Sequence, residues 1–278
     1  IDNRERCEQS YTVTELPSLP PILIGEGQMD GATLTVPGST WIPGLFAGHL
    51  LTPNRDQGEV SLSDNMAYVV ADNSADTITL VEGTFASAAA PGDTLGSLFA
   101  FESMVVRGGA LVTTPGDILI QSAAPTLSIE ESSTLTARLL ELGPSAASLS
   151  ADDATLALSE GGLLVQGSAN LASTTLDAGY IGVELTGDLD LVGDSSMTLS
   201  IGDLRVGGDL ALDNTATLSA GAVTFEVMGA LTLGSGSSIT CEASTESREC
   251  RLALSADSLD IAVGAEISAS AKGYPQKT

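Results

Sequence analysis

The feature that most limits how this chain can fold is a phrase of alternating apolar residues, written three times at one interval. "VELTGDLDL", "LRVGGDLAL" and "FEVMGALTL" follow one another so that Gly187, Gly208 and Gly229 stand 21 residues apart. Five apolar columns keep the same interval: Val183, Leu204 and Phe225; Leu185, Val206 and Val227; Leu189, Leu210 and Leu231; Leu191, Leu212 and Leu233; and Met197, Leu218 and Ile239. Within each copy apolar and polar residues alternate, the period-two signature of a strand with one buried face. Clusters such as "GDSS", "DNT" and "GSGSS" supply the corners. A strand-rich unit of this length cannot bury its own apolar face, but stacked on a like neighbour it builds a continuous core. The pattern therefore predicts an all-β chain folded as a parallel β-helix, or β-solenoid, of about 21 residues per rung.

A fourth copy supports this. Leu259, Ile261 and Ile267 follow Leu231, Leu233 and Ile239 by 28 residues, one period with seven residues inserted. The stretch between Cys241 and Cys250 is the natural place for the extra residues, as a loop bulging outward. Upstream, "SMVVRGGALVTTPGDILI", "PTLSIEESSTLTARLLEL" and "ATLALSEGGLLVQGSANL" repeat the alternation with Gly, Pro or Ser corners, and Leu163 precedes Val183 by 20. Within them "TARLLEL" also admits one turn of helix. The β-helix is placed in a domain of residues 98–278, with the stack running from about 98 to 270.

Composition suits thin cross-sections. Aromatic residues make up 4% of the chain, whereas compact sandwiches and α/β cores rely on large rings. Ten Lys and Arg stand against 36 Asp and Glu, a formal charge of −26. Phosphate backbones and anionic membrane surfaces are repelled by such a chain, so nucleic acid is excluded as a partner. The acids are interleaved with apolar residues and read as the solvated outside of a folded object. No apolar run is long enough to cross a bilayer, and membrane insertion is not expected. With no initiator methionine and no signal-like segment, the chain reads as a processed piece of a longer precursor.

Residues 1–29 are polar and end in "ELPSLPP", the pattern of a linker or extended lead-in. Residues 30–97 contain the only Trp and the only His. Here Trp41, Leu45, Phe46 and Leu50 are expected to form a small β cap over the open end of the solenoid, whose first rung would otherwise expose core and strand edges. Cys241 and Cys250 flank "EASTESRE", a spacing suited to a disulfide that closes a surface loop; a zinc site would need more Cys or His. That pairing implies an oxidising compartment and leaves Cys7 free or joined to something outside the chain.

The run "W-x-P" followed by "FAGHLLTPN", then "VADNSADTITL" and "PGD", resembles a module of large secreted or cell-surface bacterial proteins. In these an Asn-Thr-Ala-like turn precedes a Thr-Ile-Thr-Val strand and leads into a β-helix with phrases like "VVRGGALVTTPGDILI". "ISASAKGYP" is similar to their Gly-Tyr-Pro signature. The likeness covers residues 30 to 120 and the last ten. It implies a right-handed helix on a secreted or cell-surface protein and carries over no catalytic residues.

Chemistry is sparse. His49 is the only histidine, so a two-histidine metal site cannot be built, and the residue reads as structural. No nucleophile elbow, Walker A loop or dinucleotide fingerprint occurs. No catalytic residue is assigned. Catalysis would have to rest on carboxylates such as Asp188 and Asp209, whose spacing of 21 sets them one rung apart, with Asp190 on the same outward face. Rungs lie ~4.8 Å apart, near the ~5–5.5 Å between the carboxyl groups of a retaining glycosidase. The three acids could equally bind calcium through oxygen ligands, or simply point into water at a turn, which is the reading favoured. Glu184, Arg205 and Glu226 form a column of alternating charge that reads as a structural ladder. No basic, aromatic-lined groove for a polysaccharide is evident, and the Thr positions do not read as the repeated array of an ice-binding solenoid. The expected function is a non-enzymatic extracellular stalk or adhesin-like segment that meets cell-surface or matrix components, glycans among them. The alternatives are a carbohydrate-active enzyme using paired carboxylates and a fibre subunit self-associating through the solenoid ends.

Overall fold

In the computed structural model of the chain the described residues are 19–52, 68–178, 182–241 and 251–268. They fall into two compact units, one containing residues 19–101 with Thr114–Leu119, the other Glu102–Thr113 and the chain from Ile120 onward.

The second unit is a parallel β-solenoid whose coils each contribute three strands. In ladder A, Thr155, Leu156 and Ala157 pair with Thr175–Asp177, which pairs with Ser196–Ile201. The ladder continues through Thr217, Ser238–Cys241 and Glu266–Ser268. In ladder B, Leu163 pairs with Val183, Val183 with Leu204, Leu204 with Phe225 and Phe225 with Leu254. In ladder C, Ala169, Leu189, Leu210, Leu231 and Leu259 pair in the same succession. Earlier coils are longer: Ser103–Val106 pairs with Thr126–Ile129, and Leu111–Thr113 with Thr134–Thr136, at an interval of 23.

Every apolar column read from the sequence is thus a column of strand partners, and its side chains face inward. Leu189, Leu191, Leu210, Leu212, Leu231 and Leu233 are fully buried. Stacking is what buries them, because one coil has no second layer of its own to cover its apolar face. The corner between ladders C and A carries buried hydroxyls that satisfy the turning backbone. Ser195 Oγ lies 2.8 Å from the Leu171 carbonyl and 2.6 Å from that of Val192, either of which can take its single proton, and accepts from the Thr174 N–H at 3.2 Å.

Register places the insertion. Ala220 pairs with Cys241 at an interval of 21, Ala222 with Arg251 at 29 and Ala230 with Ser258 at 28, so eight residues enter between Cys241 and Arg251 and the next corner is one residue shorter, for the net seven read from the sequence. In the last described coil Leu259 is 51% and Ile261 is 44% exposed, although their partners Leu231 and Leu233 are 0% exposed. "TARLLEL" is strand, lying inside Thr126–Ala172. The helical alternative fails because the backbone is extended throughout, with Ala137 to Leu142 all buried, Arg138 and Glu141 included.

The first unit is antiparallel. Thr33–Thr35 pairs with Thr77–Leu80, which pairs with Tyr68–Asn73, while Leu50–Thr52 pairs with both Tyr68 and the Thr94–Phe101 strand. Its core includes Leu19, Ile24, Leu34, Phe46, Leu51, Ile78, Phe85 and Leu95, so the stretch read as a lead-in contributes core residues from Leu19 onward. Buried Asn73 holds the preceding loop. Its Oδ1 accepts from the Phe46 N–H at 2.8 Å, and its Nδ2 donates to the carbonyls of Ile42 and Ser74, each at 2.9 Å.

Candidate functional site

Asp188 and Asp209 stand at the corner between ladders B and C, each directly after a glycine of the Gly187, Gly208, Gly229 column. The column is itself hydrogen-bonded: Gly208 N donates to Gly187 O, and Gly229 N to Gly208 O, each at 3.0 Å. The carboxylates extend it. Asp188 Oδ1 accepts the Asp209 N–H at 2.9 Å, and Asp209 Oδ1 accepts the Ala230 N–H at 2.8 Å. One coil earlier Ser168 Oγ accepts the Asp188 N–H at 3.0 Å. Each side chain therefore reaches up one rung and closes the corner of the next coil.

This arrangement explains the glycines. A Cβ on Gly208 would overlap the Asp188 carboxylate, and one on Gly229 would overlap that of Asp209. The Gly-Asp pair is a single steric unit, with the small residue above making room for the acid below.

Asp190, in ladder C, pairs with Ala211 and faces outward. Its pKa is raised, first by partial burial and then by the negative charges of Asp188, Asp213 and Asp209. The three acids of the calcium reading do share one neighbourhood. Even so, two of them already give an oxygen to backbone N–H groups, and among the described residues no group of three or more His, Cys, Asp or Glu is arranged to hold a metal ion.

The outward face of ladder B is charged. Glu184, Arg205 and Glu226 are strand partners in register, as their spacing predicts. Arg205 Nε lies 3.7 Å from Glu226 Oε2 and Arg205 Nη2 lies 3.9 Å from Asp203 Oδ2, with the side chains about half exposed.

The outward face of ladder A carries a regularity that the Thr positions alone do not show. Thr155, Thr175, Ser196, Thr217 and Ser238 form one column, and Ala157, Asp177, Thr198, Ser219 and Thr240 form a second, two residues along each strand. Eight of these ten positions carry a hydroxyl, all ten are at least partly exposed, and the residue between each pair is buried. At least one hydroxyl therefore recurs at each of these five rungs, although Thr itself does not repeat at every rung, as expected. Sequence reading missed it because Ser alternates with Thr and one interval is 20, not 21. The signal was the inward column Met197, Leu218, Ile239: one step to either side of each member gives the array.

In the first unit His49 sits edge-on between Phe46 and Phe99, with ring centroids 5.8 and 5.6 Å away, and Trp41 meets Phe46 at 5.8 Å. Its Nδ1 is buried without a hydrogen-bond partner, and burial lowers its pKa. A cavity of about 160 Å³ beside it is lined by Gly48, Leu50, Leu98, Phe99 and Phe101. An aromatic row around an imidazole is a packing arrangement, and among the described residues no carboxylate or hydroxyl is bonded to the ring. Of the residues expected in the cap, Phe46 is buried in the core and Leu45 is 39% exposed.

Cys241 is fully buried at the end of its strand, its sulfur 3.7 Å from the Gly221 carbonyl oxygen. Cys250 and Cys7 lie outside the described residues, as does the Gly-Tyr-Pro stretch. Among the described residues no helix is long and apolar enough to cross a membrane. No protein-family model matches the chain, and no curated protein or solved structure matches it either.

Proposed function

We propose that this chain is a non-enzymatic extracellular or cell-surface segment, a stalk or adhesin-like β-solenoid that presents long, uniform faces to cell-surface or matrix partners. The observation that carries this reading is the use made of Asp188 and Asp209. A catalytic carboxylate pair needs oxygens turned toward a substrate, and each of these gives Oδ1 to the backbone N–H of the coil above. The outward residues form columns that repeat from rung to rung, a design suited to a partner that is itself extended and repetitive. A disulfide between Cys241 and Cys250 belongs to the proposal, closing the inserted loop in an oxidising compartment.

The test incubates the purified chain with a panel of soluble and insoluble polysaccharides, measuring new reducing or unsaturated ends together with retained binding. The expected result is no cleavage. Cleavage lost on Asp188→Asn or Asp209→Asn would make the chain a carbohydrate-active enzyme. The same samples test calcium: thermal unfolding is expected to ignore both added calcium and a chelator, and a midpoint that rises with calcium would restore the Asp188, Asp190 and Asp209 site. Peptide mapping without reduction is expected to recover Cys241 joined to Cys250.

A second reading is a fibre subunit, in which the strand edges of a solenoid end pair with those of another copy. Sedimentation over a wide concentration range tests it, and a single monomeric species throughout would remove it.

A further inference from the structure

We propose that the outward face of ladder A binds ice, taking the ordered water lattice as its ligand. The geometry comes first. Rungs of a parallel ladder lie ~4.8 Å apart and residues two positions along a strand ~6.6 Å apart, so the two columns from Thr155 to Thr240 make a rectangular array of hydroxyls in fixed register. These repeats are close to the oxygen spacings on the faces of hexagonal ice. Each hydroxyl both donates and accepts, as each lattice water does. β-Branched Thr is restricted at χ1, so hydroxyl and methyl are held in place before any ligand arrives. Neighbouring rungs already touch, with Ser196 Oγ 3.3 Å from Thr175 Oγ1.

Charge selects the partner. The chain carries a formal −26, yet in the five rungs from Thr155 to Thr240 these ten positions include a single ionisable residue, Asp177, and the next rung adds Glu266 beside Ser268. The other faces are different: ladder B presents Glu184, Arg205 and Glu226, and ladder C presents Asp190. A face kept nearly neutral on so acidic a molecule complements an uncharged, hydrogen-bonding, periodic surface. None of the ten residues is aromatic. Sugar rings bind by stacking on aromatic faces, so the array favours water over glycan as its lattice partner. Many weak, simultaneous contacts then add up on an extended crystal where isolated water molecules gain nothing. This activity goes beyond the stalk or adhesin reading and stands or falls separately from it.

The test grows a polycrystalline ice hemisphere from a solution of the fluorescently labelled chain, and measures thermal hysteresis and crystal shape in the same solution. The wild-type chain is expected to enter the ice and to hold crystals in facets within a hysteresis gap. Thr217→Lys and Ser219→Lys each place a charged chain in the middle of the array and are expected to abolish both effects with the circular dichroism spectrum and Tm retained. Thr232→Lys, on the outward face of ladder C, is expected to leave both intact. Exclusion of the wild-type chain from ice overturns the proposal, as does equal adsorption by all three variants. Retention on insoluble cellulose or chitin that the same two substitutions abolish, without adsorption to ice, reassigns the face to a flat glycan and overturns it too.

Discussion

The smallest unit of this architecture is a contact between two residues 21 positions apart. Gly208 is required because the carboxylate of Asp188 occupies the space a Cβ would take, and that carboxylate sits there because it caps the Asp209 N–H. Gly208→Ala is therefore expected to cost about 1–3 kcal/mol, the usual range for overpacking. Asp188→Ala removes one exposed hydrogen bond, for about 0.5–1.5 kcal/mol. Because each change relieves the need for the other, the double variant is expected to be more stable than the two losses added together, and denaturant unfolding of the four proteins in the cycle measures the coupling. Asp190 gives a second expectation of opposite sign. Its pKa is raised in the folded state, so its contribution to stability is fully present below the ordinary value of 3.8 and is lost as pH rises through the folded-state value. Asp190→Asn is expected to raise Tm at neutral pH and to leave it unchanged in acid below that ordinary value. A lower Tm at neutral pH would mean that the charge of Asp190 is stabilising.

At the scale of elements, the three ladders share an inward pattern and differ only outside. The inward columns were legible in the sequence because Leu, Val, Ile, Met and Phe are all recognised as apolar and recur at a constant interval, as in Met197, Leu218 and Ile239. The outward columns were legible only where charge marked them. Glu184, Arg205 and Glu226 stood out by alternation of sign, whereas the hydroxyl columns of ladder A were hidden by the exchange of Ser for Thr and by Ala157 and Asp177. The role of Asp188 was hidden for another reason. Spacing places a carboxylate on a rung but does not tell which N–H it faces, and that bond separates a corner device from an open acid. In "TARLLEL" the period of two is absent because Ala137 to Leu142 are all buried, so sequence alone left helix and strand open. The charged column yields its own expectation. Arg205→Glu stacks three acids in successive rungs and removes the contacts with Glu226 and Asp203. Cross-strand pairs are worth about 0.2–1 kcal/mol each and exposed ion pairs fall at the low end, so Tm is expected to drop by a few degrees. Because the pairs are exposed, salt should narrow the difference between the two proteins, and a drop that salt leaves unchanged would point to lost packing instead.

At the scale of the whole chain, the units differ in how their stability is organised. In the solenoid each coil is buried by its neighbours, so the design extends by addition and tolerates the insertion between Cys241 and Arg251 without loss of register. The N-terminal unit has a closed core and non-repeating devices such as Asn73, whose three hydrogen bonds to residues 42, 46 and 74 leave no periodic trace in sequence. Repetition gives the solenoid long faces of uniform chemistry, one hydroxylated and one charged, and it disperses the acids into corner contacts.

The measurement that tests this account most directly is a series of distances between spin labels along ladder A, introduced through an unnatural amino acid so that the native cysteines stay untouched. One label replaces Glu266 and the other replaces Ser196, Thr175 or Thr155 in turn, positions that lie three, four and five rungs away. The stacked register predicts backbone separations of ~14, ~19 and ~24 Å, rising by one rung of ~4.8 Å at each step. Separations that fail to rise in equal steps would contradict the solenoid register, and with it the straight columns on which every functional reading here depends.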